Sequence, residues 1–312
     1  MAVALTETQG SLREARPLLG IFLKIAATFV FTMMAIVGRS LGDTVPVGEV
    51  VFFRASAAFL PLLLWMVFKR IPFTTLKTAY PLLHARRATT GVLAMFTYFS
   101  ALMYLPVADL TAIGFASPLI VVILAATVLG ESIRIYRWSA VAIGFVGVLI
   151  MLMPHISREM QSGWGVTFAL ANAVFVAFTM IFIRGMSHTE PALTIAFYFQ
   201  LSSAIVGALT LLFAWVTPDF GQGLALVALG ILGGIGQILM TTSYRFAPAS
   251  TLATFDYAAM IWAVILGWLV FREAPTTEIY VGAGIVFASG LFIAWRERMT
   301  ASRDAGTSFE PK

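Results

Sequence analysis

The chain contains no cysteine, which excludes disulfides, thiolate nucleophiles and cysteine-ligated zinc or iron–sulfur centres. Histidine is nearly absent: His84, His155 and His188 all read as loop residues, and none stands in an HxxH or HExxH spacing. No metal site and no cofactor is expected. Charge is scarce too. Only 11% of the 312 residues are Asp, Glu, Lys or Arg, against about 25% in a soluble protein, so a water-facing surface cannot be clothed. With 60% hydrophobic residues and a mean hydropathy of +0.92, a soluble globular domain and a disordered chain are both ruled out. The net charge of +5 does not indicate a nucleic-acid partner, because the basic residues lie in short segments between apolar runs.

What is present is a series of such runs. Crossing about 30 Å of hydrocarbon takes roughly 20 helical residues, and lipid offers the backbone no hydrogen-bond partner, so the runs must be helices. Ten are expected, over 18–38, 47–68, 88–105, 107–129, 138–153, 164–183, 191–216, 223–244, 248–271 and 279–295. The first follows Arg13 and Arg16 and continues without a small-residue cleavage site, which reads as a span and not as a secretory signal. Pro106 and Pro248 each open a helix immediately after the preceding one ends, a position where the missing N–H costs nothing. With the N-terminus inside, inner segments carry fifteen Lys and Arg and outer segments three. The excess predicts that both termini are cytoplasmic.

The chain also repeats itself. Ser100-Ala-Leu-Met-Tyr-Leu-Pro106-Val-Ala-Asp-Leu aligns with Thr242-Ser-Tyr-Arg-Phe-Ala-Pro248-Ala-Ser-Thr-Leu, and the same offset carries Gly91 onto Gly233, Phe115 onto Tyr257 and Glu131 onto Glu273. Upstream, Arg39 aligns with Arg184, Arg54 with Gln200 and Ser56 with Ser202. A repeat of five helices is odd-numbered, so its second copy must lie upside down, the arrangement in which transporters build a site at the bilayer midplane. The expected organisation is a cytoplasmic tail 1–17, a first five-helix repeat 18–153, a second 164–296 and a cytoplasmic tail 297–312.

Within the first copy, Pro106 with Leu110 four residues on, Ser117-Pro118, Leu129-Gly130-Glu131 and Gly144-Phe-Val-Gly147 resemble the EamA domain of the drug/metabolite transporter superfamily. The second copy repeats the pattern from Pro248 to Phe271-Arg272-Glu273, departing from it at Met260, where the first has Pro118, and at Arg272, where the first has Gly130. The resemblance implies a ten-helix carrier of the bacterial inner membrane, closest to the YddG-like amino-acid exporters, with a central cavity between helices one, three, four, six, eight and nine. Export is implied by the resemblance alone.

An ionisable group inside a span is costly and marks a functional site by default. Asp256, about 12 Å into helix nine, is the candidate substrate-amine partner and the candidate proton carrier. Asn172, Tyr98 and Gln237 reach a similar depth, and Thr241 shares a helix face with Gln237; amides, phenol and carboxylate together suit a zwitterion. For each the competing role is an interhelical hydrogen bond worth about 0.6 kcal/mol. Phe31, Phe115 and Tyr257 form a candidate aromatic wall. Lys24 is expected to snorkel to the headgroups. Arg54 reads as structural, too far along the helix from Glu49 for a direct pair. Asp109 reads as a helix-dipole or capping group, and Glu131 and Glu273 as fixing loop structure.

The expectation is an all-α, multi-pass secondary transporter that works in the lipid bilayer by alternating access. It moves amino acids or related small metabolites, with protons as the candidate coupling ion. The alternatives are another cargo (a drug, nucleotide sugar or lipid), an intramembrane enzyme, or a scaffold. An enzyme needs a nucleophile–base pair or metal at depth, and no histidine, cysteine or GxSxG lies in a run; a scaffold usually carries a soluble module, and the tails are short.

Overall fold

The computed structural model describes residues 17–128, 130, 135–156, 160–186, 189–244, 246–247 and 252–307. Among these residues the secondary structure is helical, with no strand. The α-helices are α1 (Pro17–Ser40), α2 (Val47–Ala57), α3 (Phe59–Phe68), α4 (Pro81–Tyr104), α5 (Val107–Gly114), α6 (Ala116–Thr127), α7 (Ile135–Ile156), α8 (Met160–Met186), α9 (Ala192–Thr210), α10 (Phe220–Ser243), α11 (Ala258–Phe271) and α12 (Thr277–Thr307). Short 3-10 turns cover Phe73–Leu76 and Ala253–Tyr257.

Local sequence sets many of the boundaries. Pro46, Pro106 and Pro191 stand immediately before α2, α5 and α9, where a fixed φ and a missing donor suit a helix start. Asp219 opens α10 with a reciprocal cap: its Oδ1 accepts from the Gln222 N–H at 2.8 Å, while the Gln222 side chain accepts from the Asp219 N–H at 2.9 Å. Arg272 closes α11 in the left-handed region at φ 59°, and Gly130, its counterpart in the sequence repeat, has φ 65°. The departure from glycine at Arg272 thus keeps the backbone conformation and accepts its strain.

The two largest departures from the expected boundaries lie at the start of helix three and the end of the last helix. Helix three begins at Pro81 and not at residue 88, because proline nucleates the turn and Arg87 finds a buried place on the helix instead of a loop. The final helix continues to Thr307, its polar end being rich in helix-forming Arg, Glu, Met and Ala. Six helical stretches are long and apolar enough to cross a membrane: Leu18–Ser40, Val47–Phe68, Val107–Thr127, Gly163–Met186, Ala192–Thr210 and Phe220–Ser243. Shorter apolar stretches cover Trp138–Pro154, Phe255–Phe271 and Thr277–Ile293. His84, Arg86 and Arg87 lower the hydropathy of α4.

The most extensive packing joins α1 to α10, α4 to α8, α7 to α12 and α2 to α9, followed by α6 on α8 and α1 on α11. One core gathers Met34, Val51, Phe99, Leu102 and Leu229; a second gathers Leu119, Met151, Ile279 and Val286. Large apolar side chains such as Phe68, Ile135, Leu212, Phe213 and Phe220 face outward, as a lipid-bathed surface requires. Since lipid is as apolar as leucine, close packing and not water exclusion must hold such helices together. The α7–α12 crossing makes this explicit: a Cβ on Gly147 would sit 2.7 Å from the Gly282 carbonyl oxygen, and one on Gly282 would strike the Gly147 carbonyl.

Candidate functional site

Helices four and nine each change winding at a corresponding point. Phe115, between α5 and α6, keeps αR dihedrals and its N–H bonds back to the Ala112 carbonyl at 3.1 Å, and the 3-10 turn ending at Tyr257 leads into α11. The two points meet: the Phe115 and Tyr257 rings lie 4.9 Å apart, and Phe287 stands edge-on to Tyr257 at 4.3 Å.

Asp256 precedes Tyr257 in this turn. Its Oδ1 lies 2.6 Å from the Lys24 ammonium of α1, which also donates to the Tyr244 hydroxyl at 3.3 Å. The two partners differ sharply in setting: the Lys24 side chain is 1% exposed and that of Asp256 49%. Snorkelling, expected for Lys24, is therefore not its role. A carboxylate within reach offsets the loss of water around the ammonium, whereas about half of the Asp256 side chain stays uncovered by protein.

A second polar cluster lies between α2, α4 and α9. Arg54 donates through Nη1 to the Gln200 side-chain oxygen at 3.3 Å and reaches the Met95 sulfur at 3.6 Å. Arg87 lies over the Phe199 ring, 4.2 Å from its centroid, and is 8% exposed. No acid pairs with either arginine among the described residues. The Arg54 Nε and the Arg87 Nε and Nη1 are buried without a hydrogen-bond partner. Tyr98 is close enough to interact electrostatically with Arg54. Glu49, fully buried, accepts from the Val216 N–H at 3.2 Å and is not among the partners of Arg54.

The other expected site residues are dispersed. Asn172 donates to the Ala94 carbonyl at 2.7 Å, tying α8 to α4. Gln237 and Thr241 approach at 3.5 Å and line, with Leu62, Trp65 and Ala196, a cavity of about 150 Å³ between α3, α9 and α10. That is half the lower end of small-molecule pockets, room for waters or a side group. Phe31 packs against α10 at Gly236. Asp256, Tyr257 and Phe115 thus come together, Tyr98 joins Arg54, and Asn172 stands apart. At the far end of α1, Arg39 donates to the Leu102 and Leu105 carbonyls at 3.0 and 2.5 Å and pairs with Glu273 at 2.5 Å.

Lys24, Arg54, Arg87 and Gln200 were not singled out as site residues by the sequence. The alignment of Arg54 with Gln200 and of Gly91 with Gly233 was the available signal for the arginines. Arg87 escapes a reading that starts helix three at residue 88, one position after it. Glu131 lies outside the described residues.

A helical bundle with outward apolar faces and buried charges is a multi-pass membrane protein of the transporter kind. The chain belongs to the EamA-like transporter family, whose model matches residues 18–153 and again 163–295, and with it to the drug/metabolite transporter superfamily; it is a transporter and not an enzyme. It is 27% identical to a riboflavin transporter of Rhizobium johnstonii over 94% of this chain and 96% of that one. It is 27% identical to an S-adenosylmethionine uptake transporter of Rickettsia prowazekii, over 86% and 89% of the two chains. To a pseudopaline exporter of Pseudomonas aeruginosa it is 28% identical, over 86% and 93%. A crystal structure of a protein 20% identical superposes with a TM-score of 0.63, covering 88% of this chain and 96% of that one; this likeness concerns the fold.

Proposed function

We propose that the protein is a ten-span secondary carrier of the bacterial inner membrane, built from two inverted five-helix repeats with both termini cytoplasmic. It exports amino acids or related small metabolites by alternating access. The observation that carries the reading is that repeat-related residues touch one another. Arg54 bonds Gln200, and Phe115 packs on Tyr257. In an object with two-fold symmetry, only groups beside the axis contact their own mates. The helix contacts obey the same exchange: α1 on α10 corresponds to α8 on α4, and α1 on α11 to α8 on α6, while α2–α9 and α7–α12 are their own counterparts.

An axis that exchanges inverted repeats lies in the membrane plane, so Arg54, Gln200, Phe115 and Tyr257 are near the midplane. Depth along the helices agrees. Arg54 is seven residues into α2 and Gln200 eight into α9, about 10 and 12 Å from opposite ends. Helices four and nine then meet where the cargo crosses, with Asp256 lining the path. The relatives bear the names of a riboflavin carrier, an uptake system and an exporter, which supports a small-molecule cargo; export rests on the resemblance to amino-acid exporters. A different metabolite class is the second reading, favoured by the riboflavin relative.

The test is uptake of a panel of radiolabelled amino acids into proteoliposomes, with and without a pH gradient. Saturable, gradient-driven uptake is the expected result. No amino-acid flux from folded protein overturns the amino-acid assignment in favour of the second reading. Asp256→Asn alone strips Lys24 of its counter-ion, so it is paired with the double variant Lys24→Met/Asp256→Asn. Flux lost in both places the carboxylate in transport; flux restored in the double variant makes the pair structural.

A further inference from the structure

We infer that Arg54 and Arg87 together form a binding site for the oxyanion group, carboxylate or phosphate, of the transported molecule. The inference rests on the carrier reading above and adds the chemistry of its cargo. Three observations converge on it.

The first is convergence in space. Arg87 folds back along its own helix: a Cβ placed on Gly91, four residues on, would collide with the Arg87 Nη1 and lie 2.8 Å from the Phe199 ring. Arg54 arrives on the same strip of α4 one turn further, at the Met95 sulfur. Gly91 and Met95 are four residues apart, about 6 Å along the axis. On the facing helix the contacts fall on consecutive residues, Phe199 under Arg87 and Gln200 on Arg54. The two guanidinium groups are near enough for their charges to repel.

The second is accommodation. Gly91 leaves the room that the Arg87 Nη1 occupies, and Gly233, its equivalent in the sequence repeat, lies against Arg54: a Cβ there would be in ordinary contact with Nε at 3.4 Å and Nη2 at 3.5 Å, its nearest neighbour being the Met34 sulfur at 3.1 Å. The arginines themselves are not repeat mates.

The third is lack of charge balance. Lys24 has Asp256, and Arg39 has Glu273, but neither Arg54 nor Arg87 has an acid among the described residues. Gln200, a thioether and an aromatic face satisfy some of the N–H groups; the Nε of each arginine and the Nη1 of Arg87 remain buried and unpartnered. Packing alone does not account for this arrangement, since two like charges are brought together at depth with donors to spare. An oxyanion supplies both the missing charge and the missing acceptors, and the planar guanidinium matches its geometry. Tyr98, beside Arg54, adds a hydroxyl.

The experiment measures ligand stabilisation of the purified full-length protein in nanodiscs of zwitterionic lipid at fixed chloride. Succinate, glutamate, inorganic phosphate and the neutral succinamide are titrated, and apparent affinity is read from the rise in Tm. Expected is a saturable rise with the carboxylates or with phosphate and none with succinamide; which of the two responds identifies the group. Arg54→Gln and Arg87→Gln should each weaken that binding at least tenfold. Gly91→Ala keeps both charges and displaces Arg87, and should weaken it too, so the result does not depend on removing an arginine. Folded wild-type protein that ignores every oxyanion overturns the inference, as does unchanged affinity in the folded variants. The transport reading fails separately: oxyanion binding without amino-acid flux retains this site and removes that cargo, whereas flux without oxyanion binding does the reverse.

Discussion

The Lys24–Asp256 pair makes a prediction that its geometry turns into an inequality. At 2.6 Å the gross attraction is about 6 kcal/mol at an effective dielectric constant of about 20, most of it offset by the cost of removing both ions from water. The two ends of that cost are unequal, because Lys24 is enclosed and Asp256 is half open. Asp256→Asn leaves an enclosed ammonium with only the Tyr244 hydroxyl and an amide oxygen, and should cost about 3–5 kcal/mol, as for removal of one partner of a buried pair. Lys24→Met leaves a carboxylate that protein covers only by half, and should cost about 1–2 kcal/mol. The double variant removes both charges and should fall near wild type, since apolar replacement of a buried pair is often neutral. Taking about 2 °C per kcal/mol for a chain of this size, thermal unfolding in nanodiscs should drop by about 6–10 °C for Asp256→Asn and about 2–4 °C for Lys24→Met. Equal drops, or a larger one for Lys24→Met, would refute the reasoning from unequal burial.

Three further expectations concern sites away from that pair. Arg272 holds a left-handed backbone conformation that costs a non-glycine residue about 1–2 kcal/mol; Arg272→Gly should raise Tm by about 1–2 °C, after allowing for glycine's greater unfolded-state entropy, and a fall would mean that its stacking on Trp268 at 5.1 Å outweighs the strain. Asn172→Leu removes one interhelical bond, to the Ala94 carbonyl, worth about 0.6 kcal/mol; Tm should change by about 1 °C and flux should persist, whereas abolished flux with Tm intact would put Asn172 in the cargo path. Arg39→Gln removes the charge that holds two carbonyls and Glu273 together, at about 1–2 kcal/mol for partly exposed, charge-assisted bonds; unchanged Tm and unchanged transport would show the clasp to be idle.

The membrane class was legible because it follows from composition: too few charges to face water leaves few other outcomes. The family was legible at Pro106, Ser117-Pro118 and the Gly-bearing helices, whose residue types are fixed by helix starts and close packing. Side-chain pairing was not. Lys24 looks like a snorkelling lysine in one dimension, since nothing in its own helix announces that Asp256, more than two hundred residues on, arrives beside it. Arg87 failed for a related reason: counting charges between apolar runs assigns every arginine near a boundary to a loop, but Pro81 starts the helix six residues before it. Depth along a helix says nothing of partners: Asp256 meets Lys24 of α1, and the Asn172 amide turns to the Ala94 carbonyl of α4.

The contacts also suggest which parts would move together. Helix α1 is joined to the segment around α11 at both ends, by Lys24–Asp256 and by Arg39–Glu273. The two lysine and arginine positions are fifteen residues apart, about 22 Å of helix. Helix α1 also packs extensively on α10. Under the repeat exchange the counterpart of this trio is α8 with α4 and α6, which are likewise packed on one another. Direct contact between α1 and α4 is sparser, and the Arg39 bonds to the Leu102 carbonyl of α4 and to that of Leu105 just beyond it are ones that a movement between the trios must release. In the carrier proposed above, alternating access would be a rocking of one trio against the other about the Arg54–Gln200 and Phe115–Tyr257 contacts. Spin labels at exposed positions within one trio, Phe22 on α1 with Ile261 on α11, should keep one distance distribution whether or not cargo is bound. Labels across the trios, Phe22 with Leu82 on α4, should shift by several ångströms or become bimodal. A change within the trio and none across it would break the rocking picture, because two ion pairs spanning 22 Å cannot both survive a movement of α1 past α11.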